Sequence, residues 1–205
     1  MLRFRTSVGT LLAIAALAIA TTGNTQERAR GGRGQAVPGK EAPHPPKVDA
    51  EAPEFELMNL KNEPISLRKL SKNGPVVLLV LRGWPEYQCP VCSRQVAEFL
   101  SKKAELKKAG AQVVMIYPGP AALLAEHAKE FQGEIELPDH FHFLIDPDYT
   151  FTNAWGLRWE APRETAYPST FIVGADNKVK FGLTSTSHRG RESAANVLEE
   201  LAKLQ

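Results

Sequence analysis

The two cysteines of the chain stand in one motif, Cys89-Pro90-Val91-Cys92. It follows an apolar run at 75–81 and opens a segment whose apolar residues are helically spaced. Proline is favoured at the first helical position, so we expect Cys89 to be the N-cap and Cys92 to lie in the first turn. Free N–H groups and the positive dipole end there stabilise a thiolate, the reactive form of cysteine. The motif predicts dithiol–disulfide chemistry, with Cys89 the more exposed sulfur and Cys92 the recessed one.

Two other uses of a C-x-x-C motif stay open on the residues alone. A structural disulfide within so short a loop would constrain the unfolded chain little. A zinc half-site would need two further ligands, and the histidines show no pair with suitable spacing. The histidines are His44, His127, His140, His142 and His188. Because His140 and His142 alternate with phenylalanines, we interpret them as strand residues and predict no metal site.

Alternating apolar patterns predict the elements that position the cysteines. The run at 75–81 is continuously apolar, as expected for a strand covered on both faces. Proline and glycine residues mark helix starts and stops. The predicted strands are 54–60, 75–81, 111–117, 141–145, 169–173 and 179–183, and the predicted helices are 90–109, one from Pro120, 148–155 and 191–204. This order predicts an α/β layered domain over 48–205.

The first part of the chain has a different composition from this domain. Residues 1–20 have a positive start and an apolar run that ends in a small-x-small pattern, which predicts a cleaved signal peptide. Residues 21–47 are rich in Gly, Pro and Arg and predict a disordered linker. We therefore expect an exported protein, periplasmic or extracellular, that does not span a membrane after cleavage.

The charge of the chain argues against nucleic-acid binding. The formal net charge of the 205 residues is +2, and the basic excess lies in the first 47 residues. The remaining body carries more acidic than basic side chains, so it lacks the basic surface that phosphate backbones require. No nucleic-acid partner is therefore predicted.

The chain resembles the thioredoxin fold in its buried strand, its C-x-x-C helix start and its segment Tyr-Pro-Ser-Thr-Phe at 167–171. More narrowly, it resembles the peroxiredoxin superfamily, of the alkyl hydroperoxide reductase and thiol-specific antioxidant type. The family site is P-x-x-x-T-x-x-C, and here Pro85 begins P-x-x-x-C-x-x-C, followed by Gln95 and Phe99. Segments 146–157 and 168–177 are also similar to family segments. The resemblance covers about 50–203 and implies a thioredoxin-like fold, with a central mixed β-sheet flanked by helices.

The resemblance also implies roles for residues around the motif. A cis-proline before a strand faces the cysteines of the thioredoxin fold, and Pro168 is the candidate here. Pro168 also stands about where the family has an arginine that polarises the peroxide, and Cys89 stands where the family has a threonine. The candidates to replace that arginine are Arg82, Arg158 and Arg163. Trp84, Pro85 and Tyr87 are expected to form an apolar lip and a partner-binding surface beside the sulfurs.

These features predict an exported thiol-dependent antioxidant enzyme without a cofactor. It would reduce hydrogen peroxide or an organic hydroperoxide through Cys89 and Cys92, and a thioredoxin-like or other thiol would reduce it again. The peroxiredoxin resemblance makes Cys92 the attacking sulfur, whereas the thioredoxin resemblance makes it Cys89. One alternative is a thiol–disulfide oxidoreductase that acts on protein disulfides. A second is a non-catalytic copper-binding or metal-delivery module that uses both cysteines and His188.

Overall fold

A computed structural model describes residues 39–204 of the chain. The predicted signal peptide and most of the predicted linker lie outside the described residues. In chain order the elements are β1 (Glu56–Met58), β2 (Pro64–Ser66), α1 (Leu67–Ser71), β3 (Val76–Val80), α2 (Pro90–Ser101), α3 (Lys103–Lys108), β4 (Gln112–Gly119), α4 (Leu124–Gln132), β5 (Phe141–Pro147), α5 (Thr150–Ala154), β6 (Ser169–Val173), β7 (Val179–Thr184) and α6 (Ala194–Ala202). No helix between residues 39 and 204 is long and apolar enough to cross a bilayer.

The main sheet has five strands in the order β5-β4-β3-β6-β7. Strand β3 lies at its centre, parallel to β4 and antiparallel to β6, which makes the sheet mixed. All five residues of β3 are buried, which agrees with its continuous apolar sequence. The α/β architecture with a central mixed sheet flanked by helices is therefore confirmed.

The two faces of the sheet contribute to two apolar cores. Val77 and Leu79 of β3 point to the core that contains Cys89 and Cys92 and is covered by α2, α3, α4 and α6. Val76, Leu78 and Val80 point to the opposite core, under α1, α5 and the hairpin of β1 and β2. This alternation is the period of two that a strand imposes on its side chains. The cysteines therefore lie on a helix packed against the central strand.

Several element boundaries differ from the predicted ones. The helix predicted at 90–109 breaks at Lys102, whose backbone has φ −102° and ψ 16° and is not helical. Helix α4 begins at Leu124 rather than at Pro120, because Leu123 adopts a left-handed conformation. The predicted strand at 54–60 contains β1, which pairs with β2 in a separate two-stranded sheet. Strand β2 and helix α1 were not predicted, since elements of three and five residues are too short to show a period.

The described end of the predicted linker lies against the domain. His44 donates its backbone N–H to the carbonyl of Gly156 at 3.0 Å, and Lys40 pairs with Glu160 at 3.3 Å. Tyr167 donates its hydroxyl to the carbonyl of Glu41 at 3.1 Å. Residues 40–44 therefore contact the domain, and the domain boundary at Val48 stays a prediction.

Gly83, in the loop between β3 and α2, has a backbone that other residues tolerate poorly. Its φ is 58°, and a Cβ there would collide with the carbonyl of Pro118. We expect Gly83→Ala to lower the free energy of unfolding by about 3 kcal/mol, from overpacking and backbone strain. Thermal or urea unfolding measures this loss.

Gly110 provides the matched control for this substitution. Its φ is 70°, but a Cβ there meets nothing within 4 Å. Gly110→Ala should therefore cost only the left-handed penalty of about 1 kcal/mol. Equal losses in the two variants would contradict the close approach of Gly83 and Pro118.

Candidate active site

Both cysteines lie at the beginning of α2, where the sequence predicts them. Cys89 is the N-cap in an extended conformation, and its Sγ accepts the backbone N–H of Cys92 at 3.4 Å. Pro90 occupies the first helical position and Cys92 the first turn, so both predictions are confirmed. The local sequence folds this way because proline lacks the N–H that would stay unbonded there.

The predicted difference in exposure between the two sulfurs is wrong. Cys89 is 2% exposed and Cys92 is 1% exposed, so both are buried. The prediction considered only the faces of α2, and Cys89 is covered by residues from outside that helix. Arg191, from the segment before α6, lies within reach of both sulfurs. Trp84 packs against the same core from the loop before α2.

Arg191 is the side chain that brings positive charge to the sulfurs. Its Nη2 lies 3.3 Å from Cys92 Sγ and 3.9 Å from Cys89 Sγ. Its Nη1 donates to Gln95 Oε1 at 2.8 Å, and its Nε donates to the carbonyl of His188 at 3.3 Å. All three guanidinium nitrogens therefore have a partner, which fixes the group over the cysteines.

The two thiols are coupled and take opposite pKa shifts. The hydrogen bond from the Cys92 thiol is the main cause that lowers the pKa of Cys89 to about 5, with a further contribution from Arg191. Burial, together with the hydrogen bond to Cys89, raises the pKa of Cys92 well above its usual range. At neutral pH the pair therefore holds one proton and one negative charge, and its titration belongs to the pair.

None of the three arginines predicted to serve the site brings its guanidinium to a sulfur. Arg82 reaches Cys92 only through its backbone N–H, at 3.4 Å from Sγ. Arg158 donates to the carbonyls of Trp159 and Thr165, at 2.7 and 2.5 Å. Arg163 is exposed. These expectations are corrected in favour of Arg191, which sequence reasoning missed because only the tertiary fold brings residues 95 and 191 together.

The guanidinium of Arg82 contacts Glu164 and Tyr87 instead of the sulfurs. It is 1% exposed and pairs with Glu164, with Nη2 2.6 Å from Oε2. Its Nη1 donates to the hydroxyl of Tyr87 at 2.5 Å, and Nη2 donates to the carbonyl of Arg163 at 3.0 Å. The hydroxyl of Tyr87 is therefore held by the buried guanidinium of Arg82.

The three residues of the predicted apolar lip differ in exposure, and the lip itself stays a prediction. Trp84 stacks on His127, with ring centroids 3.5 Å apart. Pro85 is buried, and Tyr87 is 38% exposed. Gln88, next to the N-cap, accepts from Tyr117 Oη at 2.8 Å and donates to the carbonyl of His127 at 2.9 Å. The loop before α2 is thus tied to β4 and α4.

Pro168 lies near the site but not in the predicted conformation. It lines a small hollow together with Gln95 and Arg191. Residues 39–204 contain no cis peptide bond, so Pro168 is trans and the cis expectation is wrong. Its carbonyl accepts the backbone N–H of Ser185 at 2.9 Å. Pro168 therefore helps to hold the segment that leads to Arg191.

The described residues offer little support for a metal site. Between residues 39 and 204, no group of three His, Cys, Asp or Glu side chains could hold a metal ion. His188 is engaged with Glu164, with Nε2 2.8 Å from Oε1. The copper-binding alternative is therefore not favoured.

The family model and the curated relatives that this chain resembles agree with one another. The family model described as Redoxin matches residues 47–198. The chloroplastic peroxiredoxin Q of Oryza sativa subsp. japonica is 33% identical over 130 residues, which cover 63% of this chain and 55% of that protein. The chloroplastic peroxiredoxin Q of Sedum lineare is 32% identical over 105 residues, or 51% of each chain. The chain thus spans about half the length of these curated relatives.

Solved structures show a similar fold. Peroxidoxin BcpB from Mycobacterium tuberculosis has a TM-score of 0.60 at 22% identity, over 78% of this chain and 99% of that chain. The yeast mitochondrial 1-Cys peroxiredoxin has a TM-score of 0.63 at 14% identity, over 78% of this chain and 76% of that chain. At these identities the likeness concerns the fold, and it agrees with the thioredoxin-like architecture expected from the sequence.

Arg191 should contribute to the ionisation of the pair. The reduced protein should gain one thiolate with a midpoint near the pKa of about 5 that characterises Cys89. The thiolate is therefore present above that pH and lost below it. Arg191→Met removes the adjacent positive charge and should raise the midpoint by about 1 to 2 units. Absorbance of the thiolate at 240 nm against pH measures this.

Arg189→Met is the matched control, because Arg189 is an exposed arginine of the same segment. Its substitution removes the same formal charge without touching the sulfurs, so the midpoint should stay where it is in the unaltered protein. A midpoint that moves equally in both variants would show a general charge effect and contradict the specific role of Arg191.

Proposed function

The chain belongs to the Redoxin family and is a peroxiredoxin-like protein of thioredoxin fold, and from this we propose that it is a thiol peroxidase. It reduces hydrogen peroxide or an organic hydroperoxide through the Cys89 and Cys92 pair. The observation that carries the proposal is the buried dithiol under Arg191, whose Nη2 lies 3.3 Å from Cys92 Sγ. A thiolate held by an arginine is what nucleophilic attack on a peroxide oxygen needs.

Cys92 is the attacking sulfur in this proposal. Two donors outside the pair reach its Sγ, the Arg82 backbone N–H at 3.4 Å and Arg191 Nη2 at 3.3 Å. Cys89 Sγ accepts from the backbone N–H of Cys92, inside the motif, and Arg191 Nη2 lies farther from it, at 3.9 Å. Cys92 also occupies the position of the cysteine in the family pattern P-x-x-x-T-x-x-C. Because its pKa is lowered, Cys89 carries the negative charge of the resting pair, so the proton of the Cys92 thiol has to move to Cys89 before Cys92 attacks.

The reaction balances with these two sulfurs alone. After the proton moves to Cys89, the Cys92 thiolate attacks one peroxide oxygen, so that an S–O bond forms and the O–O bond breaks. Cys92 becomes a sulfenic acid, and the leaving alkoxide or hydroxide takes the proton from Cys89. The Cys89 thiolate then attacks the Cys92 sulfur and releases hydroxide, which solvent protonates. The peroxide is reduced to an alcohol and water, and the dithiol is oxidised to a disulfide.

The guanidinium of Arg191 stabilises the charge that develops on the leaving oxygen, since it is fixed beside the reacting sulfur before the reaction starts. Burial of both sulfurs favours a small oxidant for the attacking step, because a hydroperoxide needs less access to a sulfur than a protein disulfide does. A thiol reductant supplies the two electrons that reopen the disulfide. We include export in the proposal on the pattern of residues 1–20.

Peroxidase activity is tested by mixing the reduced protein with hydrogen peroxide and following tryptophan fluorescence by stopped flow. Trp84 packs against the core that contains both cysteines, so its emission should report their oxidation. We expect oxidation several orders of magnitude faster than that of free cysteine, and no fast phase in Cys92→Ser. A rate equal to that of free cysteine would contradict the peroxidase.

The roles of the two sulfurs are tested by trapping the sulfenic acid with dimedone and locating the adduct by mass spectrometry. Cys89→Ser cannot form the disulfide, so it should accumulate the adduct on Cys92 after one equivalent of peroxide. Cys92→Ser should give little adduct. An adduct that forms rapidly on Cys89 in Cys92→Ser would reverse the two roles and leave the peroxidase standing.

A further inference from the structure

The buried carboxylate of Glu164 contacts Arg82 through one oxygen and His188 through the other. Its side chain is 4% exposed. Oε2 accepts from Arg82, with Nε at 3.0 Å and Nη2 at 2.6 Å. Oε1 lies 2.8 Å from Nε2 of His188. The catalytic steps above use neither Glu164 nor His188, so this buried group calls for another explanation.

Oε1 of Glu164 is connected through His188 to Arg191, which lies beside the sulfurs. The carbonyl of His188 accepts the Nε–H of Arg191 at 3.3 Å, and Nη2 of the same guanidinium lies 3.3 Å from Cys92 Sγ. The ring of His188 also packs beside buried Trp159, with centroids 5.6 Å apart. The carboxylate thus holds the residue whose backbone orients Arg191.

Oε2 of Glu164 contacts Arg82, which follows the end of β3 and contacts Cys92. The backbone N–H of Arg82 lies 3.4 Å from Cys92 Sγ. The same residue is fixed by its guanidinium on Glu164 and by its carbonyl, which accepts the hydroxyl of Thr165. Glu164 and Thr165 therefore clamp both ends of Arg82.

From this geometry we infer that Glu164 is a positioning residue for the Cys89–Cys92 pair. Its Oε1 holds the His188 segment so that Arg191 reaches the sulfurs, and its Oε2 holds Arg82 so that its backbone N–H reaches Cys92. The inference rests on the proposed function for its catalytic meaning. It adds a group that touches neither sulfur and sets the geometry of the two donors that do.

The sign of one pKa change separates this role from a simple charge effect. A carboxylate near a thiolate disfavours it, so removal of the Glu164 charge acting through space would lower the thiolate pKa. Loss of positioning acts in the opposite direction, because Arg191 and the Arg82 N–H move away from the sulfurs. A role in folding alone would lower the melting temperature and leave the thiolate pKa unchanged.

The test is the thiolate midpoint of the reduced full chain, measured by absorbance at 240 nm, in Glu164→Gln. We expect the midpoint to rise by about 1 unit, and the rate of oxidation by hydrogen peroxide to fall about ten- to a hundredfold, as for a misplaced catalytic group. A midpoint that is unchanged or lowered would overturn the inference. The midpoint needs no peroxide, so it can be measured and interpreted even if the protein has no peroxidase activity.

Glu164→Gln leaves Arg82 buried without a counter-charge, which can prevent folding, so a second variant is included. His188→Ala keeps the ion pair of Arg82 and Glu164 and removes the imidazole ring, which contacts Glu164 Oε1 and Trp159. Its midpoint should also rise, and His188→Gln, which keeps a donor for Oε1, should restore it toward the original value. An unchanged midpoint in His188→Ala would overturn the inference.

Glu160→Gln is the matched control for the loss of one carboxylate charge. The side chain of Glu160 is 51% exposed and pairs with Lys40, which is 78% exposed. Exposed ion pairs of this kind contribute little to stability. The thiolate midpoint of this variant should therefore stay at its original value. A rise equal to that of Glu164→Gln would overturn the specific role of the buried carboxylate.

Discussion

A negative charge held out of water is the constraint on which the candidate site depends. Cys89 and Cys92 are 2% and 1% exposed, so solvent cannot stabilise a thiolate there. A buried group without compensation stays protonated, because burial raises the pKa of a thiol. The charge can form here because the first turn of α2, the backbone N–H of Arg82 and the guanidinium of Arg191 converge on the sulfurs. Among residues 39–204, Arg191 alone brings a full positive charge within hydrogen-bonding distance of a sulfur.

The sheet topology brings these donors together from distant parts of the chain. Val80 at the end of β3 lies opposite Ser169 at the start of β6, since the two strands are antiparallel. The segment before β6 therefore lies beside the segment after β3, which places Glu164 against Arg82. A buried ion pair of this kind contributes little net stability, because desolvation offsets its attraction. Its value here lies in fixing geometry, which the chemistry at the neighbouring sulfurs requires.

The sequence was informative where the structure is local and uninformative where it is tertiary. The N-cap role of Cys89 and the buried strand β3 follow from patterns within a few residues, and both were predicted. The position of Arg191 depends on how the segment before α6 packs on α2, and no spacing along the chain reveals that. The predicted exposure of Cys89 failed for the same reason, because a helical face does not show what other elements cover it. Arg82 was selected as a candidate for its charge, yet it serves the sulfur through its backbone.

The closeness of the two sulfurs has a consequence for the proposed cycle. A disulfide within the first turn of α2 forms without bringing a distant cysteine across the protein, so large unfolding is not required. Oxidation removes the negative charge, however, and among the described residues Arg191 then has two neutral partners, Gln95 Oε1 and the carbonyl of His188. A partly buried guanidinium that loses its anion is destabilised, which favours the reduced state. A disulfide whose reduced form is stabilised is a stronger oxidant. The arrangement that activates the thiolate for peroxide therefore also makes the disulfide easier for a thiol to reduce.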